Sequence, residues 1–196
     1  MTYDENSEEA KTGAYWEVRI EEFLKEVCTK VNKIVCYNDS GKRVAQTFLY
    51  GGGYHSKPDF EVSLSNNGNI DLYVEAKSSS FAWIDRKMFS VSEEIVLCAK
   101  MSRRQFNDYV LFQKVMNTKV KVIFVIEDMR SWYTETIDWL NKHKQQAISS
   151  KGYEYFIWKL DDLKKIKTNI TSRPGSQEEC YDNIPDMSDA DGFSFG

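Results

Sequence analysis

Asp59, behind Pro58, and the triplet Glu75-Ala76-Lys77 sixteen residues further on set two carboxylates and a lysine at a spacing that can build a divalent-metal site. Mg²⁺ takes hard oxygen ligands in an octahedron and keeps several of its waters. Asp59, Glu75 and the backbone carbonyl of Ala76 offer such oxygens, a phosphate would complete the set, and Mn²⁺ could use the same donors. A metal held this way acidifies its water and stabilises charge building on phosphorus. Lys77, a compact cation with movable donors, could hold the attacking water or neutralise that charge. The chemistry to which these residues point is phosphodiester hydrolysis. Each residue alone would pass for an ordinary surface charge, so it is the joint pattern that carries the reading.

Two strands must bring the groups together. Residues 57–64 alternate apolar Phe60, Val62 and Leu64 with Asp59, Glu61 and Ser63, so Asp59 points away from the apolar stripe. Ser65-Asn66-Asn67-Gly68-Asn69 is dense in turn formers and reverses the chain. In the return strand, residues 70–77, Asp71, Tyr73, Glu75 and Lys77 share one face and Ile70, Leu72, Val74 and Ala76 the other. Asp59 and Glu75 then meet across the pair, with Lys77 one pleat along.

Pro58-Asp59 and Glu75-Ala76-Lys77 resemble the motif of the PD-(D/E)xK nuclease superfamily, which includes type II restriction enzymes, archaeal Holliday-junction resolvases and RecB-like exonucleases. The match covers Glu17 to about Tyr109 and extends over the core through Glu127. It implies an α/β fold with a restriction-endonuclease-like αβββαβ core, a mixed central sheet flanked by helices. It also implies that Asp59 and Glu75 carry Mg²⁺ or Mn²⁺ and that Lys77 is the catalytic lysine. Gly13-Ala14-Tyr15-Trp16-Glu17 fits the glutamate that many members place on the first helix, making Glu17 a third acidic group near the metals. Gln105 and Tyr109, four residues apart and so on one helix face, look like the Gln and Tyr of RecB-like nucleases. The chain departs from that branch in having Pro-Asp and Glu-Ala-Lys in place of Gly-x-x-Asp and Asp-Tyr-Lys.

Within the superfamily the layout resembles small Holliday-junction-resolvase-like or phage-type enzymes, because no separate specificity domain is visible. The resemblance implies an endonuclease on duplex or branched DNA, acting in recombination, repair or phage replication. RNA as substrate and a homodimer stay open. So do an exonuclease on DNA ends, indicated by Gln105 and Tyr109, and a non-catalytic module that binds nucleic acid or recruits a partner on the same fold.

The net charge of −4 over 196 residues is unevenly spread. Six acids and no Lys or Arg fall in residues 174–196, four acids in residues 1–9, and the body between them carries about +6, which suits phosphate binding. The expected organisation is an acidic N-terminal tail (1–11), a nuclease domain (12–170) and an acidic flexible tail (171–196). That last segment mixes acids with Phe193 and Phe195, in character like the tails by which single-stranded-DNA-binding proteins dock partners. No run of eighteen apolar residues occurs, so no membrane span is expected and the setting is cytoplasmic, or the host's cytoplasm for a phage protein. Cys28, Cys36, Cys98 and Cys180 are too scattered for a zinc site. With His55 and His143 the only histidines, a His-based triad is not expected, and His55 reads as a loop residue.

Periodicity predicts a first helix over about 12–31, strand segments at 34–37 and 44–50, and a glycine run at Gly51-Gly52-Gly53 that lacks the Lys of a phosphate-binding P-loop. Further on it predicts a helix over about 101–117, a buried strand at 120–126, and an extra C-terminal helix-strand-helix at about 131–148, 153–158 and 160–166. Lys100, Arg103 and Arg104 cluster where that second long helix starts, a candidate phosphate-binding end. Phe81, Trp83, Arg86, Lys87 and Phe89 interleave aromatic and basic residues after the catalytic strand, a composition that suits stacking on unpaired bases.

Overall fold

The structure, a computed structural model, describes residues 8–37, 43–66, 68–79, 82–84, 96–149 and 151–166. The expectations for the C-terminal tail, for Cys180, and for Phe81, Arg86, Lys87 and Phe89 lie outside the described residues.

The chain opens with α1 (Glu8–Val27) and β1 (Lys30–Lys33). Two small hairpins follow, β2 (Cys36–Tyr37) with β3 (Arg43–Val44), and β4 (Thr47–Tyr50) with β5 (Gly53–Ser56). Next come β6 (Phe60–Ser63), β7 (Leu72–Ser79), β8 (Trp83–Ile84), β9 (Leu97–Ser102), α2 (Arg103–Met116) and β10 (Lys119–Ile126). The last part comprises β11 (Ser131–Thr136), α3 (Ile137–His143), β12 (Gln145–Ile148), β13 (Glu154–Lys159), a 3-10 turn at Leu160–Asp162 and β14 (Lys164–Ile166).

A six-stranded mixed sheet runs β1-β6-β7-β10-β11-β14. β1, β6 and β7 pair antiparallel, whereas β7 and β10 are parallel. A parallel pair needs a crossover, and α2 lies within the one that joins them. A four-stranded sheet, β12-β13-β9-β8, stands beside this body.

The central sheet is covered on both faces. Trp16, Ile20 and Leu24 of α1 pack on Phe60, Val62, Leu72 and Val74. Phe106, Tyr109 and Phe112 of α2, with Phe156 and Trp158 of the second sheet, cover Tyr73, Val122 and Phe124. Each such side chain, fully buried, contributes about 1.5–3 kcal/mol. Double coverage explains why β10 reads as a continuous apolar run instead of alternating.

Two expectations are corrected. The first helix spans 8–27 rather than 12–31, and Lys30–Lys33 is a strand, with Val31 opposite Val62. After Cys28, whose N–H still reaches Leu24 O, Thr29 donates its N–H to Ser63 O and its hydroxyl to Leu64 O, so sheet bonds replace helix bonds there. The C-terminal helix-strand-helix keeps its strand as β13, but its first helix shrinks to α3 and its second is replaced. Ser131–Thr136 pairs with β10 over six residues, Thr136 then caps the short α3 by accepting from Trp139 N at 3.2 Å, and Gln145–Ile148 pairs with β13. Residues 160–166 are a 3-10 turn and an edge strand whose buried Ile166 lies opposite Trp132.

Candidate active site

Asp59 sits one residue before the Phe60–Val74 pair and is fixed by backbone bonds on both sides. Its N–H donates to Val74 O at 3.1 Å, its carbonyl accepts from Ile34 N at 2.7 Å, and its Oδ2 accepts from Ala76 N at 2.9 Å. The carboxyl is thereby held at the point where β6 enters the sheet. Glu75 and Lys77 alternate with Val74 and Ala76 along β7, so both point to the α2 side. Glu75 is only 2% exposed, and its Oε1 pairs with Lys77 Nζ. Its Oε2 is buried without a hydrogen bond of normal geometry, although the Tyr109 hydroxyl faces this carboxylate.

These groups line one cleft of about 320 Å³ together with Glu17 from α1 and Gln105 and Tyr109 from α2. Glu17 also pairs with Lys33 of β1 at 2.9 Å. Asp59 keeps part of its surface open to the cleft but lies deep among protein atoms. Burial, and then the Glu75 charge, push its carboxyl well above the usual range, against the opposing pull of Lys77 and the Ala76 N–H. Burial works against the Lys77 ammonium, but Glu75 and Asp59 outweigh it and hold its pKa above the ordinary value. Burial, with Glu75 and Asp59 behind it, raises the Tyr109 phenol well above its usual value, so that side chain stays protonated. Lys77 Nζ lies 5.9 Å from the centre of the Tyr109 ring.

The structure brings together Glu17, Asp59, Glu75, Lys77, Gln105 and Tyr109. The three basic residues near the start of α2 are placed elsewhere. Arg103 pairs with Glu154 at 3.1 Å on the surface, Arg104 is exposed, and Lys100 stands over the Tyr155 ring and meets Lys77 only across a small cavity of about 50 Å³. Gln105 has a second duty: its N–H donates to Ser102 Oγ, and its Oε1 accepts from the same hydroxyl at 3.1 Å. This is a variant of the capping box, whose Ser-x-x-Gln signature is legible at Ser102.

Sequence reasoning missed several residues here. Gln46, Ser56 and Lys57 line the cleft, and Gln46 gives its amide N–H to Ile34 O at 2.5 Å. His55 belongs to a strand instead of a loop, and its Nδ1 lies 2.9 Å from Oδ1 of buried Asp108, whose Oδ2 accepts from Ser56 N at 2.9 Å. Asp108 thus ties β5 to the helix that carries Gln105 and Tyr109. A lone Asp in the buried half of a helix was the available signal.

Among the described residues, no three His, Cys, Asp or Glu side chains converge as a ready-made metal cage. Mg²⁺ commonly rests on one or two carboxylates, with waters and substrate phosphate completing its shell. Two carboxylates on one cleft, with the Asp59 charge disfavoured beside Glu75 and a buried Glu75 oxygen without a hydrogen bond of normal geometry, fit such a partly hydrated ion. No helix among the described residues is long and apolar enough to cross a membrane.

No family model and no curated protein matches this chain. Among solved structures, it is similar in fold to a Holliday junction resolvase. That structure is Hjc of Archaeoglobus fulgidus, with a TM-score of 0.44 and 11% sequence identity over 76% of this chain and 85% of that one.

Proposed function

We propose that this chain is a metal-dependent nuclease of the PD-(D/E)xK type that hydrolyses DNA phosphodiester bonds, acting as an endonuclease in recombination, repair or phage replication. The observation that carries the reading is the meeting of Asp59, Glu75 and Lys77 in one cleft, with a buried Glu75 oxygen left without a normal hydrogen bond. With β2–β5 set aside between β1 and β6 and β8–β9 between β7 and α2, the remaining order α1, β1, β6, β7, α2, β10 supports the αβββαβ succession that the motif implies.

Asp59, Glu75 and the Ala76 carbonyl are the groups that would hold Mg²⁺ or Mn²⁺. The bound ion would supply a more acidic water and stabilise charge on the phosphate. Lys77, kept protonated by the two carboxylates, orients the attacking water and offsets negative charge at phosphorus. Tyr109, kept neutral, turns its hydroxyl to the Glu75 carboxylate and helps to hold it in place. Lys57 adds positive charge on the cleft wall, and Lys33 pairs with Glu17 of that wall.

The test is incubation of the protein with supercoiled plasmid, linear duplex and a four-way junction, in Mg²⁺, Mn²⁺ or EDTA, beside Glu75→Gln. Metal-dependent cutting that the variant lacks is expected. Cutting that survives in Glu75→Gln would overturn the site assignment. The position of Gln105 and Tyr109 on the cleft supports exonuclease action as the second reading, which predicts that closed circles stay intact.

A further inference from the structure

We propose that the β4–β5 hairpin is a stacking finger for unpaired bases at the mouth of the catalytic cleft. The proposal rests on the nuclease reading and extends it to the class of substrate.

Residues 47–56 contain no Asp, Glu, Lys or Arg, in a chain that is 29% charged. Three of their side chains nevertheless stand in solvent: Leu49 is 66%, Tyr50 49% and Tyr54 71% exposed. The register sets Leu49 opposite Tyr54 and Thr47 opposite Ser56. Side chains two apart on a strand share a face, so Leu49 and Tyr54 form a cross-strand pair on the same face as Ser56. Ser56 lines the catalytic cleft, as do Gln46 just before the hairpin and Lys57 just after it. The apolar pair therefore continues the wall of the cleft outward, with Tyr54 about 7 Å along the strand from Ser56.

An isolated two-stranded hairpin is marginally stable in water, but this one is anchored. Phe48, on the opposite face, packs edge-on against Phe112 of α2 at 5.1 Å, and the Asp108 carboxylate holds both His55 and the Ser56 N–H. At the tip, Gly51 and Gly52 have φ of +57° and +79°. Positive φ at both central residues is the turn that matches strand twist, which explains the glycine run. The result is a firm base with an uncharged, aromatic end.

Such a surface offers nothing to phosphates, which the lysines around the cleft serve, but it suits the flat faces of bases. Stacking on tyrosine tolerates any base because every base has a π-face. Bases inside a duplex are already stacked on one another, so the finger favours DNA with unpaired or splayed nucleotides beside the cut.

The test uses the full chain in Ca²⁺, where binding is read without turnover. The probes are a duplex bearing a single-stranded flap with 2-aminopurine at its first unpaired position, and a fully paired duplex of equal length. Tyr54→Ala should bind the flap about tenfold more weakly and lose the 2-aminopurine fluorescence change, with duplex affinity held within about twofold. Tyr54→Phe should retain both properties. Tyr54 is exposed, so an unchanged melting curve is expected to show the fold intact. Wild-type flap affinity in Tyr54→Ala, or equal loss on flap and duplex, would overturn the proposal. So would unchanged flap binding joined to loss of self-association, which would assign the hairpin to a second copy of the chain. If Glu75→Gln still abolishes cutting while Tyr54→Ala binds normally, only the finger falls. If no probe binds at all, both readings fall.

Discussion

Of two clefts along β7 among the described residues, the larger is not the one that gathers Asp59, Glu75 and Lys77. The cleft of about 550 Å³ lies at the start of the strand, beside Leu72, and gathers Lys119, Lys121 and Lys164 with Asp71 and Glu135. The cleft of about 320 Å³ lies further along, at Glu75 and Lys77. In the larger one the acids are already engaged: Asp71 Oδ2 accepts from Leu64 N at 2.7 Å and Glu135 Oε2 from Thr136 N at 3.2 Å. Burial and the nearby Lys164 lower the Lys121 pKa, and Glu135 opposes them. In the smaller cleft, burial and the Glu75 charge push the Asp59 carboxyl up, and Glu75 Oε2 is buried without a hydrogen bond of normal geometry. Cleft size is a default guide to function. Here perturbed, incompletely satisfied charge is the better guide.

The largest effect should come from exchanging charges in the two clefts. Glu75→Gln should lower metal-dependent cleavage at least about a hundredfold, whereas Lys121→Met should leave the rate within about twofold. Initial rates of plasmid cutting read both, and the reverse order would break the distinction between the clefts.

A smaller loss is expected from the wall of the smaller cleft. Asp108→Ala leaves the Ser56 N–H and His55 without their carboxylate, which costs about 1–3 kcal/mol of stability and loosens the strand leading to Asp59. Cleavage should fall about tenfold, mainly in kcat, since a positioning defect of this kind acts on orientation in the reacting complex. Urea melts and steady-state kinetics of the variant would show it, and unchanged kcat would remove Asp108 from the site's support.

The smallest effect is on stability against pH in EDTA. The raised folded-state value of Asp59 means that the native state holds its proton more tightly than the unfolded chain does. Its contribution is therefore full below the unfolded value and is lost as pH rises through the folded value. Asp59→Asn lacks that loss. Its advantage over the wild type should grow as pH is raised from about 4 toward neutrality, by a few degrees in melting temperature, since about 1 kcal/mol shifts the midpoint of a domain this size by about 2–4 °C. A difference that is flat with pH would deny that burial and the Glu75 charge raise the Asp59 carboxyl.

The hairpin and its alternation were legible in the sequence because one strand face is strictly apolar: Phe60, Val62, Leu72 and Val74 all lie under α1. Asp59, Glu75 and Lys77 could be located for the same reason. Gln105 and Tyr109 were legible through helical spacing, yet the second hydrogen-bonding role of Gln105 depends on Ser102, where the strand meets the helix. β1 was hidden because Lys30–Lys33 follows a strong amphipathic helix without a glycine or proline to stop it, and only pairing with β6 ends the helical bonds. β11 was hidden because Ser131–Thr136 runs directly into α3, and β10 as a partner outweighs local preference. Asp108 shows in the spacing only as a lone Asp on the buried side of its helix, and neither its pairing with His55 nor that of Lys33 with Glu17 is local enough to be read there.

Mn²⁺ binding followed by electron paramagnetic resonance asks, without requiring a substrate, whether the smaller cleft holds a divalent ion. Wild type and Lys121→Met should bind Mn²⁺ alike, while Glu75→Gln and Asp59→Asn should each lose most of that binding. Wild-type Mn²⁺ affinity in both cleft variants would mean that Asp59 and Glu75 hold no divalent ion.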